Sequence, residues 1–547
     1  MSHLSKVFNK VPVKVQKRSG FDLSHENLFT AQVGTLIPAS VEEVMPGDVV
    51  SVGGALSVEL PPLATNFKGR VDARLEAFFV PNRLLWAGWK DFICQDPNHA
   101  TSVPGFTVSS SIPTVAVPAA NAIPGTLSDF LGFKTQMPSG QPSGSYSLNA
   151  LPFLAYQKIW DDWYRDSLIQ KPFFTEGVDS GAANNAQPKA AYLPYQNVTG
   201  TLNQPGNVYN AANSTKGYNG NQLYALNQRN FAKDYFTTMT TQPQAGAAAE
   251  LDFTVSVDDT SGSSGARPGT GSFSIASLRA ANSLQKWLER NNIAGTRYYD
   301  QILAHYGVLP SDAVFQRSVL LGAMTSPVIV NSIAQNSQIA TNQETKNPYG
   351  KSTGAMFGKG TSFGKDRLID NFEVKEHGYI FIIFSLVPHA YYGTGARRYL
   401  TQRSASSTFA FPEFAGIGDQ AVKQSEMYSP AFASDSTVGY VQRYAEYKYH
   451  DDEVHGLLAP SGTLQSFVLQ RGFNNTAALN SSLLEIPTTY MDLVMATTAG
   501  VSGFNCVVDA YFDAKYLRPL PEYSLPTLCE SEGEGKKVLV NKGGTRL

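Results

Sequence analysis

A mainly β fold is predicted: one β-sandwich of jelly-roll type, interrupted by long helical and loop insertions. Strand-like runs rich in β-branched and aromatic residues cluster toward the two ends of the chain. Helical patterns and Gly/Ser/Asn-rich stretches fill its centre. Its 547 residues exceed what one ordinary core supports, and a sandwich with large excursions between strands accommodates that length.

Residues 49–60 and 70–80 read as the first strands. The stretch 74–92, RLEAFFVPNRLLWAGWKDF, begins as a strand, is cut by Pro81, Asn82 and Arg83, and becomes an aromatic helix. Phe78, Phe79, Trp86 and Trp89 are the side chains expected to anchor the first insertion to the sandwich. Residues 148–165 follow a helical period that puts Trp160 and Trp163 on one face, with Asn149 as cap and Pro152 in the first turn. A second helix is expected over 275–291, with Leu278, Leu284, Trp287 and Leu288 at core spacing. A third over 297–306 closes at Gly307. Later strands are expected at 372–387, 439–449, 464–470 and 504–516. Two inserts, 177–229 and 246–274, read as exposed excursions.

Charged residues are 16% of the chain, against roughly 25% in typical soluble proteins, while Tyr, Phe, Gly and Pro are abundant. That composition fits either a surface buried against partners or a loop-rich all-β protein. A net charge of −2 excludes a global electrostatic affinity for nucleic acid. Locally, Lys6, Lys10, Lys14, Lys17 and Arg18 form a basic arm with no acidic residue among them, of the kind that contacts phosphates or stays solvated. Three dispersed cysteines suggest neither a disulfide framework nor a zinc site and point to a reducing cytoplasm. Neither a signal peptide nor a membrane-spanning run is read.

Catalytic signatures fail on context. Gly360 to Gly364 spells G-x-S-x-G around Ser362, but a nucleophile elbow needs a strand before and a helix after. Gly350-Lys351-Ser352 resembles the end of a P-loop whose first glycine is replaced by Thr345. His25-Glu26 lacks a second histidine, Glu376-His377 lacks further ligands, and Asp161, Asp162, Asp166 and Glu289 read as helix-surface carboxylates. The chain is therefore expected not to be an enzyme and to need no cofactor or metal.

Several segments, in order, are similar to the major capsid proteins of Microviridae, the small circular single-stranded DNA phages, and to their gokushovirus-like branch. They are RSGFDLSH at 18–25, LIPASVEEVMPGD at 36–48, AFFVPNRLLW, NALPFLAYQKIWDDWYRD at 149–166 and KDYFTT at 233–238. SLQKWLERNNIAGTRYYDQILAHYGVLPSDAVFQR at 283–317, EHGYIF at 376–381, GYVQRYAEYKY at 439–449 and RPLPEYSLP at 518–526 complete the set.

The resemblance implies a single viral jelly roll, an eight-stranded β-sandwich, with sixty copies in a T=1 icosahedral shell around circular single-stranded DNA. It divides the chain into an arm (1–35), first strands (36–93), insertions (94–370), remaining strands (371–526) and a tail (527–547). It turns the basic arm toward packaged DNA. Surface inserts then meet a bacterial receptor, with other virion proteins as further partners, no membrane insertion, and assembly in the host cytoplasm. The relatives' variable insertion after the Tyr-Phe-Thr motif is short here, so 177–229 is the expected outer surface. A carbohydrate- or receptor-binding jelly roll that forms no closed shell is the alternative.

Overall fold

The computed structural model describes residues 18–86, 89–94, 112–119, 122–133, 145–170, 201–202, 224–246, 275–294, 298–308, 316–334, 356–474, 478–495 and 504–522. Lys6, Lys10, Lys14, Lys17, Gly350 to Ser352 and most of both long inserts lie outside them.

Fifteen strands are described: β1 (Ser19–Asp22), β2 (His25–Ala31), β3 (Ile37–Val44), β4 (Val49–Glu59), β5 (Val71–Pro81), β6 (Thr114–Pro118), β7 (Ser145–Asn149) and β8 (Thr201–Leu202). After these come β9 (Val319–Pro327), β10 (Ile329–Ala334), β11 (Met356–Glu373), β12 (Gly378–Pro388), β13 (Gln420–Lys423), β14 (Thr437–Val441) and β15 (Cys506–Arg518). Eight of them make the sandwich. Strand β2 pairs antiparallel with β15, β3 with β12, β4 with β11, and β5 with β9. These nested pairs are joined by β4 to β15 and β5 to β12, so a doubled-back hairpin is rolled into two sheets. That is jelly-roll topology. The larger sheet gains β1 beside β15 and β10 beside β11.

Each strand's pattern follows from what covers its faces. Strand β4 alternates, putting Val50, Val52, Leu56 and Val58 into the space between the sheets. Strand β15 sends Val508, Ala510, Phe512 and Ala514 there from the same sheet. Strand β12 is buried along its whole length, which explains its unbroken apolar run. Ile380, Ile382, Phe384 and Leu386 face the sandwich core, while Tyr379, Phe381 and Ile383 face a second core outside it.

That second core belongs to the insertion between β5 and β9. The helix Leu151–Ile159 lies over the smaller sheet, and Leu151, Phe153, Leu154 and Tyr156 fill the space between. Asn149 Oδ1 accepts the Leu151 N–H at 3.0 Å, which satisfies one free donor of the first turn. The Tyr156 hydroxyl donates to the Leu36 carbonyl at 2.8 Å and accepts from the Asn227 N–H at 2.9 Å. At the opposite edge β9 and β11 approach so closely that a Cβ on Gly322 would meet the Leu368 carbonyl oxygen at 2.0 Å.

Several expected boundaries need correction. The sheet begins at Ser19, so residues 19–22 and 25–31, expected within the arm, are strands on β15. Strand β9 and most of β11 fall within the span 94–370 assigned to insertions, because their Gly, Ser and Lys residues hide the alternation. Conversely, residues 389–505 between β12 and β15 form a second insertion, whose described regular pairing is the β13–β14 hairpin. The single strand expected over 372–387 is the end of β11, a turn, and β12. The strand expected over 439–449 stops at Val441, since Tyr444 takes a left-handed φ of 62° and a 3-10 turn follows. Residues 464–470 hold another such turn, Gln465–Phe467.

Candidate assembly surfaces and nucleic-acid interface

The expected anchors lie at the corner where β5 leaves the sandwich. Phe78 and Phe79 point to opposite sides of β5, Phe79 into the sandwich core and Phe78 into the second core. Trp86 is buried in that second core, 5.7 Å from the Phe92 ring. Trp89 is partly buried against the Phe92 and His377 rings. Trp160 is fully buried, and its Nε1 donates to the Gln228 carbonyl at 3.3 Å.

Trp163 closes the insertion upon itself. Its Nε1 donates to the Ser318 carbonyl at 3.1 Å, the Arg317 guanidinium lies 3.6 Å over its ring, and Phe78 packs beside it. Asp162 Oδ2 accepts from the Ser318 N–H at 2.9 Å and its hydroxyl at 2.8 Å. The point where the chain returns into β9 is thereby held against the point where it left β5. The Ser318 partnership had no local signal in the sequence.

The larger sheet presents its outward face differently. Leu28, Phe363, Val507 and Tyr511 are exposed on it among small residues and ions. Lys515 pairs with Asp513 at 3.5 Å, Lys359 with Glu59 at 3.8 Å and Arg367 with Asp370 at 3.1 Å. Glu26 accompanies Asp509 there, and a hydrogen bond to Asp509, together with its charge, raises the Glu26 carboxyl above its ordinary range. Arg18 sits at the edge of this sheet with its guanidinium 3.4 Å from Glu373, so the one described residue of the basic cluster has a carboxylate partner.

The helix Ile275–Ala294 departs from expectation. Its spacing suits a core stripe, yet Leu278, Leu284 and Trp287 are 43, 48 and 52% exposed. Polar groups hold the helix to the chain: Gln285 Nε2 donates to Gln244 Oε1 at 2.6 Å, and Asn292 Nδ2 donates to the Gln242 carbonyl at 2.6 Å. A second exposed apolar group, Phe409, Phe411 and Ile417, lies in the insertion after β12.

The chemical motifs find structural positions. Ser362 lies buried in the middle of β11, where its hydroxyl donates to Ser326 Oγ at 2.7 Å, in an extended strand where a nucleophile elbow requires a sharp turn. His25 Nδ1 lies 2.9 Å from the Leu23 carbonyl, and His377 packs edge-on to Trp89. Cys506 is a buried thiol at the start of β15, pushed up to about 12 by burial. A cleft of about 570 Å³ runs between Trp163, Lys233 and Tyr440, but its cations are matched: Arg229 by Glu76 and Lys233 by Asp166. Among the described residues no helix is long and apolar enough to cross a membrane.

Known proteins match this sequence along nearly their whole length. The chain is 27% identical to capsid protein VP1 of Chlamydia phage 1, over 95% of this chain and 97% of that protein. It is 27% identical to capsid protein VP1 of Bdellovibrio phage phiMH2K, over 96% and 98%. Capsid protein VP1 of Spiroplasma virus 4 is 24% identical over 93% and 95%. The family described as Capsid protein (F protein) matches residues 9–528, a span that takes in the sandwich and both insertions. The chain belongs to this family: it is a major capsid protein of the microvirus kind, built to self-assemble into a virion shell.

Proposed function

We propose that sixty copies close into a T=1 icosahedral shell around a circular single-stranded DNA genome. The asymmetry of the sandwich carries this reading. The smaller sheet is covered by the helix Leu151–Ile159, whereas the larger sheet has Leu28, Phe363 and Tyr511 exposed and carries at its edge β1, the strand that directly follows Arg18. The larger sheet then faces the interior, where Phe363 and Tyr511 offer rings for unpaired bases and the arm supplies phosphate-neutralising charge. Lys6, Lys10, Lys14 and Lys17 are the residues assigned to DNA. Arg18, held by Glu373, fixes the root of the arm. The insertions face outward, with 177–229 meeting the bacterial receptor, and assembly takes place in the host cytoplasm. The chain acts as a structural protein and not as an enzyme.

Particles carrying Lys6→Ala, Lys10→Ala, Lys14→Ala and Lys17→Ala together test the DNA assignment. Their nucleic acid content per shell should fall, and the remaining packaging should depend less on salt. Unchanged DNA content would overturn it.

A further inference from the structure

We infer that the helix Ile275–Ala294 is a contact between copies, and that its outward side packs on the Phe409–Ile417 loop of a second copy. The inference rests on the shell reading and names the surface that serves it.

The helix is mounted opposite to a core helix. Gln285, Leu288, Glu289 and Asn292 recur at helical spacing and face its own chain. Leu288 accepts the Ala245 N–H at 3.2 Å, and Glu289 lies beside Gly418. Trp287 falls on the other side, where its ring stacks on His305 at 6.3 Å, and the nearby helix Tyr298–Tyr306 adds exposed Leu303 and Tyr306. An exposed tryptophan beside exposed leucines is costly in a free subunit and is typical of a buried interface centre.

Charge selects the receiving surface. Arg279, Lys286 and Arg290 are exposed on the helix and make no ion pair with a described residue, while Glu289 is turned toward Gly418. In the loop, residues 404–418 contain a single charge, the exposed Glu413, set among exposed Phe409, Phe411 and Ile417. The neighbouring arginines are already satisfied: Arg398 Nη1 donates to Glu426 Oε1 at 2.8 Å, and Arg403 Nη2 to Glu446 Oε1 at 2.7 Å. A cationic apolar helix therefore matches an apolar loop whose exposed carboxylate, Glu413, makes no ion pair with a described residue, and every copy carries both.

Shell formation by the full chain, followed by sedimentation and electron microscopy, tests this. Trp287→Ser should melt like the parent yet leave free subunits, with shell yield down about tenfold or more at equal concentration. Lys286→Glu with Arg290→Glu should also lose shells, and adding Glu413→Lys should restore them. Normal assembly of Trp287→Ser, failure of the Glu413→Lys rescue, or a reconstruction in which residues 247–274 of the same chain cover Trp287 would each overturn it. A parent chain that forms no shells would instead refute the shell reading.

Discussion

Arg229 grips Glu76 with both arms of its guanidinium, at 2.7 and 3.1 Å, and so ties the insertion to strand β5 of the sandwich. The same arginine donates to Ser385 Oγ at 3.0 Å, and the Tyr164 hydroxyl donates to Glu76. Burial alone would raise the Glu76 carboxyl, but the Arg229 charge and these hydrogen bonds outweigh it and hold the group below its ordinary 4.5.

Replacing Glu76 with Gln leaves the Arg229 charge buried without its counter-ion, which should cost about 3–5 kcal/mol in denaturant unfolding. The pH dependence carries a sign. Because the folded carboxyl ionises below its unfolded value, its stabilisation is present above pH 4.5 and lost as pH falls through the lower folded value. Glu76→Gln should flatten that acid limb, and an unchanged limb would assign it to other groups.

Trp86 and Trp287 make a matched pair. Trp86 is buried in the second core, so Trp86→Ala should cost roughly 3–5 kcal/mol and deplete soluble, assembly-competent subunit. Trp287 is half exposed, so Trp287→Ala should change subunit stability by only about 0.5 kcal/mol. Equal losses in thermal melts would contradict the contrast.

Asp451 works in the opposite direction to Glu76. Burial, then the nearby Asp234 charge, pushes its carboxyl up to about 6. The folded state therefore holds a proton that the unfolded state has released, and stability falls as pH rises from 3.8 to about 6. Asp451→Asn keeps an acceptor for the Tyr235 N–H and removes the charge. A gain of about 1–2 kcal/mol at neutral pH is expected, after discounting for solvent screening, and should vanish near pH 4.

At the crossing of β9 and β11, Gly322→Ala puts a methyl group against the Leu368 carbonyl oxygen. Strand displacement there should cost about 1–3 kcal/mol. A melting temperature equal to the parent's would mean the two strands are free to separate.

The sequence made some strands plain and hid others for physical reasons. Strand β12 stood out because both its faces are buried, and β4 and β15 because one face alternates against the core. Strand β11 is as structural, but its Lys365, Asp366 and Arg367 face solvent and its glycines break the pattern. The corner at Phe78, Phe79 and Trp86 was readable because aromatic spacing reports burial. Helical spacing in 275–294 gave the helix but not its surroundings, since a periodic face says nothing about whether its own chain or another covers it. The Trp163–Ser318 hydrogen bonds join residues far apart in sequence, which no local pattern announces.

Electron cryo-microscopy of particles formed by the purified full-length chain tests the central claim most directly. The account predicts uniform small icosahedral shells of sixty subunits, with Phe363 and Tyr511 of the larger sheet toward the interior and the insertions outside. Discrete trimers or free subunits under assembling conditions, or shells with that sheet on the outer surface, would contradict it.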